Sequence, residues 1–176
     1  MSRVQTPEQF ETAARTEVEK AETVAAALHQ EIATLESRLN SIASNPSASG
    51  LAGAVSLESL LAAKRSLAER ITKTFNAEKF YRAYLDANGK PILESFLREK
   101  SKIIEALKPQ IAELRKSAME HELAGRDEAF DDNDSADTLA LNAEQFSACL
   151  AHAKESLRRN NPYLETLNFL HQIQAA

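Results

Sequence analysis

The sequence predicts an all-α protein: an elongated antiparallel three-helix bundle or coiled coil, followed by two short C-terminal helices. Two observations predict this fold class. Only 4 glycines and 5 prolines occur in 176 residues, too few for the many tight turns of a sheet protein. Apolar residues also recur at alternating spacings of four and three through long segments, which is the period of packed helices. The length suits one domain with a small appendage.

The first predicted helix covers residues 7–44. Thr6 is suited to the N-cap, Pro7 to the first helical position, and Gln9 to the return bond of a capping box. The apolar residues then follow a heptad pattern: Ala14, Val18, Ala21, Ala25, Leu28, Ile32, Leu35, Leu39 and Ile42. A helix of this length is about 57 Å long at ~1.5 Å per residue, so it requires partner helices of similar length.

The second and third helices are predicted over residues 57–87 and 91–124. Pro, Ser and Gly cluster in 45–55, which predicts a flexible loop before the second helix. Its apolar stripe is wider than a strict heptad seam and is typical of a helix with two neighbours. Because only residues 88–90 join it to the third helix, the two should lie antiparallel.

The predicted domain organisation has three parts. Residues 1–125 form the long-helix bundle, and 126–141 form an acidic, loop-like linker. Residues 142–176 form a short helical hairpin or docking arm. Periodicity alone leaves open whether the heptad seams close within one chain or between two chains.

Charge is distributed unevenly along the chain. The formal net charge is −5. Seven acids and three bases make residues 7–44 acidic, six bases and four acids make 57–87 basic, and six acids with one base make 125–141 strongly acidic. The first two helices are therefore expected to pair. No basic excess is present, so no nucleic-acid partner is expected.

The sequence carries no recognisable catalytic or metal-binding motif. P-loop, GxGxxG, HExxH and GxSxG patterns do not occur, so we expect no enzyme and predict no catalytic, cofactor-binding or metal-ligating residue. An EF-hand loop starting at Asp132 would place Ala136 and Ala143 where oxygen ligands are needed. Cys149 and His152 share a helix face but make only two of the four ligands of a structural zinc site.

Two groups of residues are candidates for protein contacts. Helical geometry cannot bury three clustered aromatic residues equally, so one group offers an exposed patch, unless it belongs to the core. The second group is acidic and forms either a solvated linker or a lure for a basic partner. The candidates are Phe80, Tyr81, Tyr84, Asp131, Asp132, Asp134 and Asp137.

These observations predict a non-enzymatic coiled-coil interaction protein: a scaffold, assembly factor or adaptor. The alternative is an inhibitor or regulator whose acidic surface binds a basic site on an enzyme or nucleic-acid machine. The expected partners are proteins, including a second copy of the chain, and not a membrane. Glu8 and Glu11 interrupt the position of a secretory signal, and no ~20-residue apolar span occurs. A cytoplasmic location is expected, or the virion or host cytoplasm if a phage encodes the chain.

Overall fold

The computed structural model describes residues 5–173, except for the side chain of Ala48. Within this range the chain forms six helices and no strand, which confirms the all-α prediction. The helices are α1 (Pro7–Ser44), α2 (Ala48–Thr74), α3 (Ala77–Asn88), α4 (Lys90–Leu123), α5 (Glu128–Arg158) and α6 (Tyr163–His171). Among these six helices, none carries an apolar stretch long enough to cross a bilayer.

Helix α1 has the predicted bounds, and its start shows why. The Gln9 backbone N–H donates to Thr6 Oγ1 at 3.3 Å, and the Thr6 N–H donates to Gln9 Oε1 at 3.2 Å. This reciprocal capping box satisfies two backbone donors that a helix start leaves without helical partners. Both hydrogen bonds join residues only three apart, so the start of α1 can be predicted from the sequence alone.

The loop predicted at 45–55 is wrong, because α2 begins at Ala48. Ser47 Oγ accepts the Gly50 N–H at 3.0 Å and so caps the helix. Alanines surround Gly50 and Gly53, and their high helix propensity offsets the cost of isolated glycines.

The single helix predicted over 57–87 is also wrong, because the chain breaks between α2 and α3. Phe75 is extended, with φ −78° and ψ 122°. Asn76 Oδ1 then accepts the Lys79 N–H at 2.8 Å and starts α3. An asparagine that caps a new helix competes with continuation of the old one. The joint to α4 is also shorter than predicted, since only Gly89 separates the two helices.

The acidic linker predicted at 126–141 is wrong as a loop. Helix α5 runs without interruption through Glu128–Arg158, so the helix predicted from residue 143 is only its C-terminal half. Ala129 and Ala136 are buried, and this packing overrides the weak helix propensity of the surrounding aspartates. Acidic residues in the first turn also interact favourably with the helix dipole. One long and one short helix replace the predicted short hairpin.

The chain divides into two compact units. The α1–α2 unit comprises residues 12–83, and the α4–α6 unit comprises the described residues 5–11 and 84–173. In the α1–α2 unit, α1 and α2 lie antiparallel. Glu31 pairs with Lys64, and Glu36 pairs with Arg65 at 2.7 Å.

In the α4–α6 unit, α4 and α5 lie antiparallel along their whole length. Lys90 Nζ contacts Asn160 at one end at 3.2 Å, and Arg115 contacts Asp137 towards the other at 3.6 Å. Helix α6 packs against this pair. The buried hydroxyls of Ser156 and Thr166 are 2.6 Å apart, which joins α5 to α6.

Candidate interaction surface

The aromatic candidates do not form one exposed patch. Tyr81 is buried at 8% exposure, with the Arg15 guanidinium 4.9 Å from its ring centre. Tyr84 is half-buried, and its ring stacks on Phe10 at 6.0 Å. Phe80 is exposed and its ring centre lies 5.9 Å from that of Phe75. Burial therefore assigns Tyr81 to packing and leaves Phe80 as the accessible member.

The acidic candidates all lie on the N-terminal third of α5. Asp131 and Asp134 are exposed. Asp137 is exposed as well and forms the ion pair with Arg115 of α4. Asp132 is half-buried, and its Oδ2 lies 3.2 Å from Nδ1 of His121 on α4. The four residues thus belong to a rigid helix instead of a linker.

Three large apolar side chains stand exposed where α4 turns into α5. Phe130 is 82% exposed, Leu123 81% and Met119 62%. A single exposed apolar residue is ordinary, but a cluster of three beside a turn is typical of an interaction site. The sequence gives little sign of this cluster, because the composition of residues 126–141 predicts a loop.

Helical geometry places these side chains on one side of the α4–α5 pair. Arg115, Met119 and Leu123 follow each other at intervals of four, so they share a face of α4. On α5, Phe130 and Asp137 are seven residues apart and also share a face. Arg115 and Asp137 form an ion pair, so the face of α4 with Met119 and Leu123 and the face of α5 with Phe130 lie on the same side of the helix pair. We call the end of the α4–α5 pair formed by residues 119–137 the α4–α5 tip; Met119, Leu123 and Phe130 lie on this side of it.

The tip is strongly negative. Residues 119–137 contain eight carboxylates and one arginine. Two of these carboxylates pair with bases just before the segment, Glu120 with Lys116 and Asp137 with Arg115. Concentrated charge of one sign creates a potential that attracts ligands of the opposite sign. The tip therefore combines apolar anchors with a field that favours cations.

The turn itself is held by backbone geometry and by one polar pair. Gly125 adopts φ 64°, a left-handed conformation that glycine adopts without strain. The Arg126 N–H donates to the His121 carbonyl at 2.9 Å, as in a helix C-cap. His121 Nδ1 on α4 and Asp132 Oδ2 on α5 are both buried and lie 3.2 Å apart, without the geometry of a hydrogen bond. These features orient the start of α5 and with it the Phe130 side chain.

The tip offers recognition chemistry through apolar contact and carboxylate charge. Among residues 5–173, no three His, Cys, Asp or Glu side chains are grouped so as to hold a metal ion. No protein family, curated protein or solved structure matches this chain.

Proposed function

We propose that this protein is a non-enzymatic adaptor whose α4–α5 tip binds a basic, amphipathic segment of a partner protein. The observation that carries the proposal is the exposure of Phe130 and Leu123, both above 80%, in a segment, residues 119–137, that holds eight carboxylates. Folding gains little from apolar side chains that stay in water. Binding a partner would bury them, at roughly 1.5–3 kcal/mol for each side chain fully covered.

The chemistry of the partner follows from the two components of the tip. Apolar anchors require an apolar face on the partner, and Met119 adds a flexible side chain that adapts to irregular surfaces. The carboxylates require lysines or arginines beside that face, since opposite charges steer association and exclude wrong partners. An amphipathic basic helix carries both components on one element. A second copy of the tip fits poorly, because it would oppose like charges.

A second candidate function uses the same surface differently. An inhibitor or regulator would place the carboxylates of Asp131 and Asp134 in a basic site of an enzyme or nucleic-acid machine. The exposure of both side chains favours this alternative. The two functions differ in which residues dominate binding. An adaptor depends on Phe130, whereas an electrostatic inhibitor depends on the aspartates and tolerates loss of the aromatic ring.

The test uses the full chain and a fluorescent helical peptide of about 18 residues, built from leucine and lysine. Fluorescence anisotropy measures binding to the wild type and to Phe130→Ala, Asp131→Asn/Asp134→Asn, and the matched control Val55→Ala on the exposed surface of α2. The adaptor predicts at least a tenfold rise in Kd for Phe130→Ala, as at an interface hot spot. It also predicts a smaller, salt-dependent rise for the aspartate pair and none for the control.

If Kd rises only for Asp131→Asn/Asp134→Asn and not for Phe130→Ala, the result would favour the electrostatic inhibitor over the adaptor. Equal binding by all four proteins, or no binding by the wild type, would refute the tip as a docking site. A leucine–glutamate peptide of the same length tests the charge requirement, because the tip should not bind it.

A further inference from the structure

We infer that one flank of the α1–α2 unit is a self-association surface, on which a second copy of the chain completes a four-helix bundle. The flank is defined by Val24 and Ala27 on α1 and by Leu60 and Leu67 on α2. It is remote in sequence from the tip and differs from it in charge, so the inference does not depend on the proposed function.

The first observation is the incomplete burial of the heptad seam in α1. Of its apolar positions within the α1–α2 unit, Ala14 and Leu35 are buried. The others are only half-buried: Val18, Ala21, Ala25, Leu28, Ile32, Leu39 and Ile42. A sustained heptad pattern specifies knobs-into-holes packing. Two helices alone cover such a seam from one direction, whereas a four-helix bundle encloses it.

The second observation is a row of exposed apolar side chains beside that seam. Val24 is 67% exposed, Leu67 46% and Leu60 45%. Leu60 and Leu67 are seven residues apart, so they lie on one face of α2. Their exposure leaves apolar area that a second helix pair can cover.

The ion pair between Glu31 and Lys64 shows that the apolar residues of α1 and those of α2 lie on the same side of the helix pair. Glu31 is seven residues after Val24 and four after Ala27, so all three share a face of α1. Lys64 is four residues after Leu60 and three before Leu67. Because the Glu31 and Lys64 side chains meet between the helices, the apolar residues next to each of them form one continuous flank.

A groove runs along this flank between the two helices. Its volume is about 510 Å³, and its walls include Ala27, Thr34, Leu35 and Leu60. Small residues on α1 open the groove, and large ones on α2 stand at its edge. The same surface therefore presents holes and knobs, as a self-complementary interface requires.

Charge favours a second copy over a charged partner. Among the described residues that line the groove, Glu31 and Lys64 carry the only charges, and they pair with each other. Two copies therefore meet without like-charge repulsion. Over the helices as a whole, residues 12–44 of α1 hold five acids and three bases, and α2 holds four bases and two acids. A two-fold axis that sets α1 of one copy against α2 of the other brings opposite charges together.

The α1–α2 pair is large enough for a stable dimer. Helix α2 has 27 residues, and such a helix is about 40 Å long. An interface that used this whole length and the width of two helices, roughly 20 Å, would cover about 800 Å² per copy, the standard size of a specific protein interface. The flank would form the middle of that interface, since Leu60 and Leu67 are central in α2.

The test is light scattering on a sizing column, over a wide concentration range and with reductant, because Cys149 is a free thiol. The wild type is expected at twice the 19.4 kDa chain mass. Leu60→Lys/Leu67→Lys places charges on the flank and is expected to run as a monomer. The control Leu51→Lys/Val55→Lys changes two exposed residues of the same helix and should remain dimeric.

Circular dichroism of each variant confirms that the helices persist. If a lysine variant loses helicity, the milder Leu60→Ala/Leu67→Ala replaces it, with a dimer Kd expected to rise at least tenfold. A wild type that stays at 19.4 kDa at every concentration would overturn the inference. So would a dimer that the flank variant leaves intact, or one that both lysine variants dissociate equally. Phe130→Ala should leave the dimer unchanged, which separates failure of this inference from failure of the tip.

Discussion

The ring of Tyr163 lies directly on the backbone of Gly89. A methyl group added at Gly89 would overlap Tyr163 Cδ2 and would lie only 2.6 Å from the Leu85 carbonyl oxygen. Gly89 is the single residue between α3 and α4, and Tyr163 begins α6. The Tyr163 N–H also donates to Asp86 Oδ1 at 2.7 Å. The α3–α4 joint and the start of α6 therefore hold each other in place.

Gly89→Ala is expected to destabilise the protein by about 1–3 kcal/mol, because the added methyl overpacks a site with no free volume. Chemical denaturation followed by circular dichroism measures the loss. Gly53→Ala is the matched control, since beyond the adjacent residues and the backbone of its own helix no atom lies within 4 Å of the added methyl. In the interior of α2 that change should stabilise by about 0.5–1 kcal/mol. Equal effects at both positions would contradict the packing of Tyr163 on Gly89.

The two phenylalanines of α5 should separate folding from binding. Phe130 is exposed, so Phe130→Ala should change the free energy of unfolding by under ~0.5 kcal/mol. Phe146 is buried on the same helix, and Phe146→Ala should cost about 3–5 kcal/mol. Denaturation midpoints of both variants check this prediction. A strongly destabilised Phe130→Ala would mean that the tip residue supports folding.

The hydroxyl pair between α5 and α6 predicts a non-additive double mutant. Ser156 and Thr166 are buried against each other. Ser156→Ala leaves the Thr166 hydroxyl buried without this partner, which should cost about 1–3 kcal/mol. Adding Thr166→Val removes the second hydroxyl and should recover part of that loss. Ser147→Ala, at an exposed position of α5, is the control. A double mutant whose loss equals the sum of the single losses would argue against coupling.

The C-terminal end of α5 carries a carboxylate, Glu155, whose pKa is lowered by two arginines. Hydrogen bonds from the side chains of Arg158 and then Arg159 lower the pKa of Glu155 from 4.5 to about 2. Because the folded state holds this carboxylate in its charged form, its contribution to stability is complete above pH 4.5. It is lost as the pH falls towards 2. The effect is small, since both arginines are exposed, Glu155 is only half-buried, and salt screens the pairs.

NMR titration of the Glu155 carboxyl carbon measures this shift directly. Arg158→Gln should move the midpoint up towards the ordinary glutamate value. Lys108→Gln, which removes the partner of Glu105 on α4, should leave the Glu155 midpoint unchanged. An unshifted midpoint in the wild type would show that the arginines do not hold the carboxylate in solution.

Local signals account for the parts of the fold that the sequence predicts well. The capping box at Thr6 and Gln9 begins α1 where expected, and the heptad spacing carries the helix to Ser44. Such signals act over a few residues and need no distant partner. The break at Asn76 also has a local cause, the capping side chain of that residue. The apolar stripe continues across it, however, and so predicts one uninterrupted helix.

Distant contacts account for the parts that the sequence predicts poorly. The stretch around Asp131 and Asp134 has the composition of a loop, yet α4 supplies the surface on which Ala129 and Ala136 pack. Small buried residues give a weak hydropathy signal, so the helix was not visible in the pattern. Composition makes the aspartates at 131, 132, 134 and 137 candidates for a contact, whereas nothing in it singles out Phe130. The one hint in the sequence is the position of Phe130, an aromatic residue that follows Gly125 closely, while Met119 and Leu123 precede that glycine at a helical spacing of four.

The sequence by itself determines the helical class, the bounds of α1 and the acidic character of the region after Gly125, because propensity, capping and charge are properties of neighbouring residues. Only tertiary structure decides that this acidic region is helical, that Tyr81 is buried, and that Met119, Leu123 and Phe130 share an exposed side. Burial depends on which helix faces another. That choice is made by packing between residues far apart in the chain, which no local pattern encodes.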